Sequence, residues 1–144
     1  MTIEYYYDGN QIHKKIFINK GCKYHGEVDT TLFEYSNGNL LSEINKSDDK
    51  FITYKYNIDG QLISEVYKSF YDTTRISREQ KFVYENKKVI TEIENETSYG
   101  FEDRQNSYNR LYNYYYDKKG LLKKIVEIHN DKVEHIHIYT YTFY

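Results

Sequence analysis

Five times along its length the chain writes the same short phrase. It consists of an aromatic residue, any residue, a tyrosine, a polar turn, and an aliphatic residue with a second aliphatic four positions on. The copies are Tyr5-Tyr6-Tyr7 with Ile12 and Ile16, Phe33-Glu34-Tyr35 with Leu40 and Ile44, Tyr54-Lys55-Tyr56 with Leu62 and Val66, Phe82-Val83-Tyr84 with Val89 and Ile93, and Tyr114-Tyr115-Tyr116 with Leu121 and Ile125. An internal repeat constrains a fold more than any other sequence property. Side chains at i and i+2 share one face of a strand, so the aromatic and the tyrosine project together. The connections are Asp8-Gly9-Asn10, Ser36-Asn37-Gly38-Asn39, Asn57-Ile58-Asp59-Gly60, Glu85-Asn86-Lys87-Lys88 and Asp117-Lys118-Lys119-Gly120. Gly, Asn and Asp tolerate the positive φ that tight hairpins need. The phrase is a β-hairpin.

Read at period two, the chain gives about eleven strands and no apolar stripe of helical period. They run Thr2–Asp8, Gln11–Asn19, Glu27–Tyr35, Asn39–Lys46, Lys50–Tyr56, Gln61–Tyr71, Arg75–Glu85, Lys88–Thr97, Asn109–Tyr116, Gly120–His129 and Val133–Tyr144, with loops at Lys20–His25 and Ser98–Asn106. The absence of proline suits unbroken ladders, and an aromatic content of 18% favours strands. Short connections imply an antiparallel meander. The expectation is a single all-β domain over residues 1–144, a meander bent into a strongly curved half-barrel or barrel, since large sheets curl, close or split. The motif tyrosines Tyr7, Tyr35, Tyr56, Tyr84 and Tyr116 are expected on one inner face. Glu34, Glu43, Lys55, Glu65, Glu92 and Lys124 are expected on a wet opposite face, which Leu41, Ile63, Ile90 and Leu122 would share.

At Tyr116-Asp117-Lys118-Lys119-Gly120-Leu121 and Tyr56-Asn57-Ile58-Asp59-Gly60-Gln61-Leu62 the chain resembles the YD or RHS type of tyrosine-rich β-repeat. That resemblance covers most of the chain and implies a β-sheet architecture; in the family such repeats build long shells around secreted toxins. The balance of Asn, Lys, Ile and Tyr also looks like that of a small bacterial immunity protein from a contact-dependent or RHS-type toxin system, which implies a toxin domain as partner.

The formal net charge of −2 lacks the basic footprint of a nucleic-acid binder. No stretch reaches membrane-spanning length, and the start of the chain reads as strand rather than signal peptide, so a cytoplasmic protein is expected. The single cysteine, Cys22, cannot form a disulfide within one chain. His129, His135 and His137 have a spacing that zinc could use, but a wet strand face accounts for them, and no metal or cofactor is expected. No nucleophile, base or phosphate-binding set can be assembled, so no catalysis is expected. The acidic run Glu92, Glu94, Glu96, followed by Tyr99, Phe101, Glu102 and Asp103, contains no Lys or Arg. It is the candidate binding surface: aromatic anchors within a negative field suit a basic protein partner. The leading reading is an immunity protein that occludes a toxin, a ribonuclease first. A structural segment of a larger secreted repeat protein and a carbohydrate-binding module are the alternatives.

Overall fold

The computed structural model describes residues 2–18, 28–99 and 105–142. They form eleven strands: β1 (Thr2–Asp8), β2 (Gln11–Ile18), β3 (Val28–Ser36), β4 (Asn39–Asn45), β5 (Lys50–Tyr56), β6 (Leu62–Lys68), β7 (Ile76–Glu85), β8 (Lys88–Tyr99), β9 (Gln105–Tyr116), β10 (Leu122–His129) and β11 (Lys132–Ile138). No helix occurs among the described residues. The strands lie in one sheet in sequence order, so the fold is the expected antiparallel meander. Among the described residues the strand order runs from β1 to β11 without closing on itself, which removes the barrel alternative. Two compact units divide the chain, one of Met1–Lys55 with Val66–Ile76, the other of Tyr56–Glu65 with Ser77–Tyr144.

In the first unit the register places Tyr5 beside Lys15, Lys15 beside Thr31, Thr31 beside Asn45, and Asn45 beside Lys50. Directly opposed residues share a face. Tyr5, Tyr7, Phe33 and Tyr35 therefore project on one side, with Glu43 and Ile52. In the second unit Phe82 stands opposite Glu92, Glu92 opposite Tyr112, and Tyr112 opposite Glu127. Tyr84 and Tyr116 follow on that same face by alternation.

These registers correct the expected distribution of charge. Glu43 and Glu92 lie among the aromatics, not on the opposite face. The cause is a β-bulge repeated at the same point of four hairpins: at Tyr6/Tyr7, Glu34/Tyr35, Val83/Tyr84 and Leu122/Lys124. Each inserts one extra residue (His13, Leu41, Ile90 and Lys123) just after the turn, on the returning strand. An extra residue reverses the alternation beyond it. Leu41 and Ile90 are thus the bulged residues themselves, and Leu122 stands opposite Tyr116 on the aromatic face.

Two strand ends also differ from expectation. β6 stops at Lys68 because Asp49, held at φ 50°, captures the chain beyond it. Its carboxylate accepts from the Ser69 hydroxyl at 2.8 Å and the Tyr71 amide at 3.1 Å, and its carbonyl accepts from the Phe70 amide at 3.2 Å. These bonds, the Ser69 bond foremost, hold the Asp49 carboxyl below the usual carboxylate range. The two ends of the expected loop Ser98–Asn106 belong to the ladder: Ser98 pairs with Asn106 and Tyr99 with Gln105, which makes β8 and β9 the longest described strands.

Among the described residues the buried apolar side chains are Ile52 in the first unit and Val126 in the second. Buried polar side chains outnumber them: Ser42, Asn45, Gln80 and Glu94. Asn45 donates to Asp29 at 3.1 Å and Thr31 at 3.2 Å, and Ser42 donates to Glu34 at 2.6 Å, so these polar side chains are satisfied. With so little enclosed apolar volume, hydrogen bonds made above the sheet carry an unusual share of the order.

Candidate functional site

The hydroxyls of the repeated tyrosines follow a rule. The second tyrosine of a copy donates to the carbonyl of the first aliphatic in the preceding hairpin: Tyr84 to Leu62 at 2.9 Å, and Tyr116 to Val89 at 2.9 Å. The first aromatic, where it is tyrosine, donates to a glutamate three residues past that aliphatic position. Tyr114 reaches Glu92 at 2.7 Å, and Tyr54 reaches Glu43 at 3.4 Å. Neighbouring hairpins are clamped through side chains as well as through the ladder. The turns are equally regular. Asn57 and Asp117 each accept two amides through Oδ1, from Asp59 and Gln61 at 3.0 and 2.9 Å and from Lys119 and Leu121 at 2.8 and 2.9 Å. Gly60 and Gly120 then take the left-handed φ of 75° and 81° that closes the turn.

The acidic residues of β8 sit inside this system. Glu92 accepts from the Tyr114 hydroxyl and from Gln80 Nε2 at 2.9 Å. Glu94, 7% exposed, lies between two arginines, with Arg78 Nε at 2.6 Å and Arg110 at 3.6 Å, and the Tyr112 hydroxyl is 3.5 Å away. Tyr112 also donates to Glu127 at 3.5 Å. Burial and then the adjacent carboxylates push the Tyr112 hydroxyl up; burial and then the Glu92 bond push Tyr114 far above its ordinary range. Both phenols therefore remain protonated donors at any physiological pH. What the arrangement does chemically is hold strands in register: anions, cations and phenols are each matched to a partner across the ladder.

The structure thus separates the acidic candidates that the sequence groups. Glu92 and Glu94 face inward to protein partners, while Glu96 is exposed. Tyr99 is the last residue of β8, and Phe101, Glu102 and Asp103 lie outside the described residues. The site residues that sequence reasoning missed are Arg78, Arg110 and Gln80. Their signal was present, because opposite charge or a hydrogen-bonding partner at a cross-strand position is what a buried carboxylate requires, but it needed a register to be read.

A tyrosine-clamped antiparallel β-repeat is the class that fold and site define. No family model matches the chain, and no curated protein sequence matches it. Among solved structures it is similar to a chain in the Photorhabdus luminescens Tc holotoxin pore, at 18% identity and a TM-score of 0.56. The match covers 93% of this chain and 8% of that one, and the likeness is one of fold.

Proposed function

We propose that this chain is a non-catalytic β-repeat protein whose task is contact with other protein, in a toxin-associated setting. The observation that carries this reading is the state of the terminal strands. β1 and β11 are exposed along their whole lengths, yet they present Tyr5, Tyr7, Val133, Ile136 and Ile138 to solvent. Each strand pairs on one side in its own unit, with β2 or with β10. An exposed apolar edge invites a further strand, and natural proteins usually blunt such edges with charge, proline or a cover. Similarity in fold to part of a toxin complex supports the setting.

Within this class two narrower readings differ in what the contact achieves. As a segment of a larger repeat sheet, the chain continues a scaffold. As an immunity protein, it occludes a cognate toxin, a ribonuclease first. The first draws support from the exposed edges, the second from the acidity at Glu96. Placing Lys at Ile136 and Ile138, and separately at Tyr5 and Tyr7, tests the common claim by light scattering and by capture of any toxin domain that a neighbouring gene encodes. Loss of association in either folded variant is expected, and unchanged association in both would overturn the proposal. A toxin assay then divides the two readings: inhibition of the separately purified toxin selects immunity, and association without inhibition selects the scaffold.

A further inference from the structure

The hairpin of β10 and β11 contains a bulge of its own, at Glu127/Ile128, where Glu134 is the extra residue. Successive residues of a strand normally point to opposite faces, but a bulge re-aims a side chain. Here it brings Glu134 to the side of its neighbour His135, across from Glu127. The ligand atoms of Glu127, Glu134 and His135 all lie within 4.8 Å of one another, and His135 Nδ1 is 3.4 Å from Glu127 Oε2. Two ligands on a tetrahedral zinc ion, each bound at about 2.0–2.2 Å, stand roughly 3.3–3.5 Å apart. The His135–Glu127 pair stands at the separation that a shared cation imposes, and Glu134 lies within 4.8 Å of both.

The surroundings resemble the supporting groups of a metal centre. Tyr112 donates to Glu127 Oε1 at 3.5 Å, with Arg110 Nε 3.9 Å from the same oxygen, so Oε2 is the oxygen turned towards His135. His129 Nδ1 faces Glu134 Oε2 at 3.7 Å from the other side. Its Nε2 is buried with no hydrogen-bond partner. Carboxylates and imidazoles oriented by such outer partners are characteristic of metal ligation.

We propose that Glu127, Glu134 and His135 bind one divalent transition cation, zinc foremost, and that the ion fastens the exposed strand β11 to β10. An imidazole with two carboxylates favours zinc over magnesium, which prefers oxygen alone. Three protein ligands leave a fourth position for water. His137, whose ring lies 6.2 Å from that of His135, takes no part.

The test is calorimetric titration of metal-free protein with zinc chloride, and with magnesium chloride in parallel, combined with hydrogen exchange along β11. One zinc per chain, at least tenfold tighter than magnesium, with added protection of the β11 amides is expected. Glu134→Gln, which keeps the side-chain shape, and His135→Ala should each weaken zinc at least tenfold, while His137→Ala leaves it unchanged. Absence of zinc binding overturns the proposal. So does zinc binding that survives Glu134→Gln but is lost in His137→Ala, because the two histidines of β11 would then form the site.

Discussion

Replacing Glu92 with alanine separates an acidic binding surface from an internal brace. In the structure Glu92 is the acceptor for two donors, the Tyr114 hydroxyl at 2.7 Å and Gln80 Nε2 at 2.9 Å. A hydrogen bond to a charged group contributes about 1.5–3 kcal/mol net, and stranding a buried donor costs about 1–3 kcal/mol. Gln80 is 9% exposed and has little access to water as a substitute, whereas Tyr114 is half-buried and regains some solvation. The expected loss is about 2–4 kcal/mol, a large fraction of the roughly 5–15 kcal/mol that holds an ordinary domain. With a urea slope of about 1–3 kcal/mol per molar, the midpoint falls by roughly 1–2 M. Glu92→Gln keeps an acceptor oxygen and loses the charge, so about 1 kcal/mol is expected. Glu96→Ala, on the same strand but exposed, should move stability by no more than about 0.5 kcal/mol. Urea titration followed by near-ultraviolet circular dichroism measures all three. Should Glu92→Ala be as stable as Glu96→Ala, while partner binding collapses, the brace is wrong and the acidic strand is the binding surface after all.

The hydroxyl clamps predict that Tyr84→Phe and Tyr116→Phe each cost about 1 kcal/mol, because each leaves a carbonyl without its second partner while the ring stays in place. The double variant should be additive within about 0.5 kcal/mol, and two neutral single variants would remove the clamp from the account of the repeat. The Asp117 carboxyl is held below its ordinary range by the Leu121 amide first and the Lys119 amide after it. Its contribution is therefore complete above about pH 4 and is lost as acid protonates it in the folded state. Asp117→Asn should keep the turn, as Asn57 does in its own hairpin, and should flatten the acid limb of a melting-temperature profile between about pH 5 and 2; an unchanged limb would assign the acid sensitivity elsewhere, to Asp49 or Asp72.

The sheet order was legible because each hairpin announces itself twice, by a turn and by an aromatic pair. Even the copy without glycine obeys, since Asn86 and Lys87 both take positive φ, 49° and 64°, and form the tight turn that glycine usually supplies. The bulges were not legible. Their extra residues are a histidine, a leucine, an isoleucine and a lysine, with no shared chemistry, because what a bulge requires is one more residue on one strand. Parity counted from the turn is then right on the first strand of each hairpin and wrong beyond the bulge on most of the returning strands. That is why Tyr84 and Tyr116 were placed correctly while Glu43 and Glu92 were assigned to solvent.

The same error explains how much of the candidate site could be read. Glu92, Glu94 and Glu96 do share a face, as period two requires, and the absence of Lys and Arg within that stretch of chain is real. In a meander, however, the neighbours of a strand are its two flanking strands rather than its own sequence. The cations that match Glu94 come from Arg78 on β7 and Arg110 on β9, sixteen residues away in both directions. A local charge census cannot register them. Depth along the strand then decides role: Glu94 lies beside both arginines and is buried, whereas Glu96, two residues nearer the end of β8, is exposed. One acidic stripe thus changes from buried brace to exposed surface within two residues.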